Sequence, residues 1–108
     1  MIRDEIVPLL EERKKTNDEW YDGIQECHDK LIALLTKNIE DTNKFLLDDC
    51  TAEQFSWISE VFEDVAEISQ NYQFIDALNV LAGKYPEETK KYNIKAFIES
   101  AKSLIEVK

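Results

Sequence analysis

Glycine and proline are scarce in this chain, with two of each in 108 residues. Tight hairpins draw on Gly, Asn and Pro at defined turn positions, so the composition favours helices joined by short loops. Cysteine is equally sparse. Cys27 and Cys50 make neither a CxxC pair nor a metal-ligand spacing, and small secreted folds stapled by disulfides carry more. Both are expected as free thiols in a reducing cytosol. No apolar run approaches the roughly 20 residues that span a bilayer. The opening MIRDEIVPLLEERKK has a short apolar stretch interrupted by charges, unlike a signal peptide. A cytoplasmic protein is expected, with no membrane contact.

Positive charge is missing from the middle of the chain. Between Phe45 and Gly83 there is no Lys or Arg, while Asp48, Asp49, Glu53, Glu60, Glu63, Asp64, Glu67 and Asp76 all fall there. These eight carboxylates account for most of the formal net charge of −10, because the flanks mix both signs, as in EERKK and KYPEETKKYNIK. Such a balance excludes direct binding to nucleic acid or an anionic membrane, where the protein must supply cations. It suits encounter with a basic partner.

What remains is rich in core material: 44% apolar residues, including five Phe, four Tyr and two Trp. A chain of this length buries roughly two-thirds of its unfolded surface, enough for one core, and 1–108 is expected as a single domain. Apolar residues recur at helical spacing. Ile2, Ile6, Leu9 and Leu10 mark a helix over about 2–15, with Pro8 either near its start or at a kink. TND at 16–18 supplies caps for a second helix over 18–36, striped by Trp20, Ile24, Cys27, Leu31, Leu34 and Leu35. A short third helix covers Ile39 to Leu47. Thr51 and Gln54 form a capping box, opening a helix that is expected to run unbroken to about Ser69. Asn71 stops it or caps the next, over 72–82, for which Gly83 is the expected stop. Pro86 starts a short turn of helix, and Asn93 caps a last helix carrying Ile94, Phe97, Ile98, Ala101, Leu104 and Ile105. The expected fold is all-α, a compact bundle of five to seven short antiparallel helices.

The stretch FSWISEVFEDVAEISQ (55–70) carries the functional question. Phe55, Ile58, Val61, Phe62, Val65, Ala66 and Ile68 form its apolar side. Glu60, Glu63, Asp64 and Glu67 form the other, with no Lys or Arg in the stretch. Trp57 falls at the border beside Glu53, Glu60 and Asp64. The i, i+3 acid pairs Glu60–Glu63 and Asp64–Glu67 have the spacing by which helical bundles hold Mg²⁺ or Mn²⁺. On a wheel at 100° per residue, however, they point away from the apolar arc, where no second ligand set converges, and no Glu-x-x-His is present. No metal or other cofactor is expected. His28, the single histidine, adjoins Cys27 in sequence, but neighbours on a helix diverge by about 100°. It is expected as a partly exposed structural side chain, and no catalytic residue is assigned. Tyr72, Phe74, Tyr85 and Tyr92 lack the cations of a base-stacking platform. Phe74 is expected in the core, with Tyr85 and Tyr92 covering its edge.

The run LLDDCTAEQFSWISEVFEDVAEISQNYQFIDALNVLAGKYPE, with YNIKAFIESAK behind it, resembles the C-terminal half of small acidic helical proteins encoded beside bacterial toxins. Those are the immunity or antitoxin partners of contact-dependent and polymorphic toxin systems. The resemblance spans about residues 46 to 104 and carries no catalytic signature. It implies a non-enzymatic toxin inhibitor that blocks a cognate basic toxin of the nuclease kind. The interface residues come from the wheel alone: Trp57 as anchor, Glu53, Glu60, Glu63, Asp64 and Glu67 as the negative field, and Asp48 and Asp49 as its extension. The alternatives are a helical adaptor or structural module, and a metal-dependent all-α hydrolase.

Overall fold

The amphipathic segments all become helices. A computed structural model describes residues 2–15 and 21–106. They form α1 (Ile2–Lys15), α2 (Tyr21–Lys37), α3 (Ile39–Asp48), α4 (Ala52–Ile58), a 3₁₀ turn (Ser59–Val61), α5 (Phe62–Ser69), α6 (Tyr72–Lys84), α7 (Pro86–Lys91) and α8 (Ile94–Ser103). There is no strand among the described residues, and the fold is an all-α bundle. With α4, the 3₁₀ turn and α5 taken as one bent unit, the described residues form seven helices. The expected TND cap and Trp20 lie outside the described residues.

Local sequence explains most of the boundaries. α1 runs through Pro8 from Ile2. Thr51 and Gln54 make the reciprocal capping box at the start of α4, with Gln54 N–H to Thr51 Oγ1 at 3.2 Å and Thr51 N–H to Gln54 Oε1 at 2.9 Å. Asn71 caps α6, its Oδ1 accepting from Phe74 N–H at 3.0 Å. Pro86 occupies the first turn of α7.

Three expectations are corrected. The helix over 55–70 is interrupted at Ser59–Val61, where the chain tightens to 3₁₀ geometry. The Ser56 hydroxyl donates to Glu53 C=O and the Ser59 hydroxyl to Ser56 C=O, and such back-bonding competes with the helical ladder. Gly83 does not stop α6, which continues to Lys84 without a left-handed residue. The stop comes from Pro86, whose ring disfavours helical backbone at the preceding Tyr85, found at φ −121°, ψ 66°. Asn93 does precede α8, but in the left-handed region and with no side-chain cap bond. Its N–H goes instead to Lys90 C=O at 3.3 Å, closing α7.

Gln70 is the other left-handed residue, at φ 50°, an uncommon conformation for a residue with a Cβ. Its side chain shows what holds it there. Nε2 donates to Glu67 C=O at 2.8 Å and Leu104 C=O at 2.9 Å, while Oε1 accepts from Glu106 N–H at 2.6 Å. The end of α5 is thereby tied to the segment after α8.

One continuous core draws on α1 (Ile6, Leu10), α2 (Leu31, Leu35), α3 (Phe45, Leu46), the 55–66 segment, α6 and α8. Its centre is aromatic. Phe55 and Phe62 lie 5.6 Å apart between ring centroids, and Phe74 meets Phe62 edge-on at 6.3 Å. Offset and edge-on pairs of this kind add roughly 0.5–1.5 kcal/mol beyond their buried area. Tyr85 packs against the same cluster and donates its hydroxyl to Cys50 C=O at 2.7 Å. Tyr92, expected to share that role, is exposed. The Cα radius of gyration is 12.9 Å, close to the roughly 13 Å of a compact chain of this length.

Replacing Thr51 by Ala removes one half of the capping box. The expected loss is about 1 kcal/mol of unfolding free energy, read as a lower urea midpoint at unchanged m-value.

Candidate functional site

The acidic side of the 53–67 segment receives cations from outside its own helix. Arg13, in the last turn of α1, lies across the 3₁₀ turn and meets Glu60 with both prongs of its guanidinium. Nε donates to Oε1 at 2.8 Å and an Nη to Oε2 at 2.8 Å. The arginine side chain is only 7% exposed and that of Glu60 30%. The guanidinium carbon also sits 5.0 Å from the centre of the Trp57 ring, within cation–π range. His28, from α2, brings Nε2 to 3.2 Å from the same Glu60 Oε1. An ionised carboxylate only accepts, so this ring nitrogen carries a proton. Two helices, α1 and α2, thus converge on one carboxylate of the 3₁₀ turn.

Glu53 has a partner too. Lys14 Nζ is 3.0 Å from its Oε1, and that hydrogen bond raises the Lys14 ammonium above its ordinary value. Both side chains are well exposed, a geometry of small energetic weight.

Glu53, Trp57 and Glu60 are therefore engaged with α1, which corrects the picture of an unpartnered face. Trp57 is half-buried against the core. Helical periodicity sees only neighbours on one helix, and the cations come from a segment some forty residues earlier in the chain, as with Arg13 and Glu60, 47 positions apart. Arg13 itself was readable only as one charge in EERKK. Burial of a guanidinium leaves no local signature in sequence.

Glu63, Asp64 and Glu67 behave otherwise. They stand exposed on the outer side of α5, and no ion pair among the described residues engages them. Ile68 stands with them, 60% exposed, and not in the core where its apolar character placed it. The signal was available, since Ile68 follows Asp64 by four residues and shares its stripe of the wheel. Asp48 and Asp49 lie exposed at the C-terminal end of α3, where Arg3 Nη1 comes within 3.9 Å of Asp49. They belong to a different element from the α5 carboxylates.

Other candidate chemistry disperses in the fold. No three His, Cys, Asp or Glu side chains among the described residues gather as a metal ion would require. Cys27 is buried while its neighbour His28 turns to Glu60. Cys27 and Cys50 are both free thiols. Burial pushes the Cys50 thiol from its ordinary 9.0 up to about 12, a rise that the Lys84 charge reduces. No helix among the described residues is long and apolar enough to cross a membrane. Comparison with known proteins brings no match: no family model, no curated protein and no solved structure matches the chain.

The Arg13–Glu60 pair is open to a double-mutant cycle. Arg13→Ala leaves a shielded carboxylate beside Trp57 and is expected to cost about 2–4 kcal/mol, discounted from the fully buried case for the exposure of Glu60. Glu60→Ala is expected to cost a similar amount, and the double variant clearly less than the sum. Denaturant unfolding of the four proteins checks this.

Cys50 gives a pH signature. Its folded pKa lies above the unfolded one, so between about 9 and 12 the unfolded chain releases a proton that the folded chain keeps. Stability is full below pH 9 and falls as pH rises through that window. From pH 8 to 10 the wild type is expected to lose about 1.4 kcal/mol more than Cys50→Ala, measured by parallel urea titrations.

Proposed function

We propose that this chain is a non-enzymatic inhibitor of the immunity type, which binds a basic toxin of the nuclease kind through the outer side of α5. The observation that carries the reading is the exposed group Glu63, Asp64, Glu67 and Ile68, whose carboxylates have no cation of their own among the described residues. Carboxylates of one sign on a rigid helix raise the encounter rate with a positively charged cleft. An apolar side chain among them supplies area that loses water on contact. Ile68 takes the anchoring role in this arrangement, because Trp57 is already covered by Arg13. The chain's net charge of −10 points the same way.

The test is co-purification with the product of an adjacent toxin-like reading frame, followed by association kinetics. Glu63→Lys/Asp64→Lys is expected to lower the association rate at least tenfold and to flatten its dependence on salt. Ile68→Ser is expected to speed dissociation. Glu60 is left unaltered, because changing it disturbs the Arg13 pair and confuses folding with binding. Wild-type rates in the double charge-reversal variant overturn the α5 interface.

A further inference from the structure

A second surface differs in chemistry from the α5 face. α3 and α6 pack along one another, and the middle of α3 is joined to the start of α6 where Asn43 Nδ2 donates to Asn71 Oδ1. Between them lies an open groove. On the α3 side Glu40, Asn43 and Leu47 follow each other at three- and four-residue steps. Gln73, Asp76 and Val80 do the same on α6, with Ala77 beside them, so each set is one ridge of its helix.

Two features suit this groove to a segment of defined character. Leu47 and Val80 are 47% and 55% exposed, two large aliphatic side chains on facing ridges with buried Ala77 below them. The charged residues of its lining, Glu40 and Asp76, are both acidic, and no Lys or Arg lines it. Beneath them Asn43, 8% exposed, ties α3 to the start of α6, its Nδ2 donating to Asn71 Oδ1 at 3.3 Å.

We propose that the α3/α6 groove docks an amphipathic segment of a partner protein, one whose apolar ridge is bordered by Lys or Arg. The apolar ridge covers Leu47 and Val80, and the flanking cations meet Glu40 and Asp76. A second copy of this chain is disfavoured as occupant, because a protein of net charge −10 brings acids to an acidic rim. Nucleic acid and anionic lipid are disfavoured for the same reason. The site goes beyond the α5 reading and does not depend on it.

The probe is a labelled peptide of about four helical turns, with Leu at i, i+3, i+4 and i+7 and Lys on both borders. Its affinity for the full chain is read by fluorescence anisotropy, and its footprint by amide chemical shifts. The expected result is a footprint on α3 and α6, with affinity at least tenfold weaker for Leu47→Ser/Val80→Ser and for Glu40→Lys/Asp76→Lys. Glu63→Lys/Asp64→Lys should change it less than about threefold, which separates this groove from the α5 surface. These positions are on the surface, and unchanged circular dichroism and thermal midpoints confirm folding. Equal binding by wild type and the Leu47→Ser/Val80→Ser variant overturns the proposal. So does equal binding of a peptide with Glu in place of Lys, a footprint confined to α5, or concentration-dependent self-association mapping to the groove.

Discussion

A guanidinium removed from water needs a carboxylate within hydrogen-bond reach, and this requirement organises the N-terminal half of the fold. Arg13 is shielded by the Trp57 ring and held by both oxygens of Glu60, so α1 has one angular position on the bent 52–69 unit. His28 brings α2 to the same carboxylate. Charge-assisted, bidentate geometry is demanding in direction as well as distance. Apolar packing through Ile6 and Leu10 could be met by several orientations of α1; the fork on Glu60 selects among them.

The same interaction divides the acidic middle segment. Glu53 and Glu60 are turned towards cations of α1, while Glu63, Asp64 and Glu67 keep a field directed at solvent. The 3₁₀ turn at Ser59–Val61 sits at this division, between a helix facing α1 and a helix whose inner side packs on α8. What seemed one acidic face in sequence has two jobs, internal neutralisation and outward presentation. The α3/α6 groove adds a third environment, in which aliphatic area and not charge density dominates.

Elements with a local chemical cause were legible from the chain alone. The Thr51–Gln54 box, the Asn71 cap, Pro86 in a first turn and the apolar stripe of α1 each depend on residues within a turn or two of one another, while Phe97, expected on the apolar side of the last helix, is 41% exposed. Where those expectations failed, a competing local bond or a distant partner prevailed. Ser56 and Ser59 redirected the helical ladder, Pro86 and not Gly83 set the end of α6, and the left-handed Gln70 is held by Leu104 and Glu106 from the far end of the chain. Ile68 was misplaced for a simpler reason, as its apolar character was weighed above its angle on the wheel.

The sequence by itself determined an all-helical chain with enough apolar material for one core and a lysine-free acidic middle. Those properties follow from composition and from spacings of three and four residues. Only the tertiary structure decided which carboxylates are neutralised, that Trp57 lies under a guanidinium, and that α3 and α6 leave aliphatic side chains uncovered between them. Ion pairing acts across space, between residues far apart in the chain, and no periodicity along the chain encodes the partner.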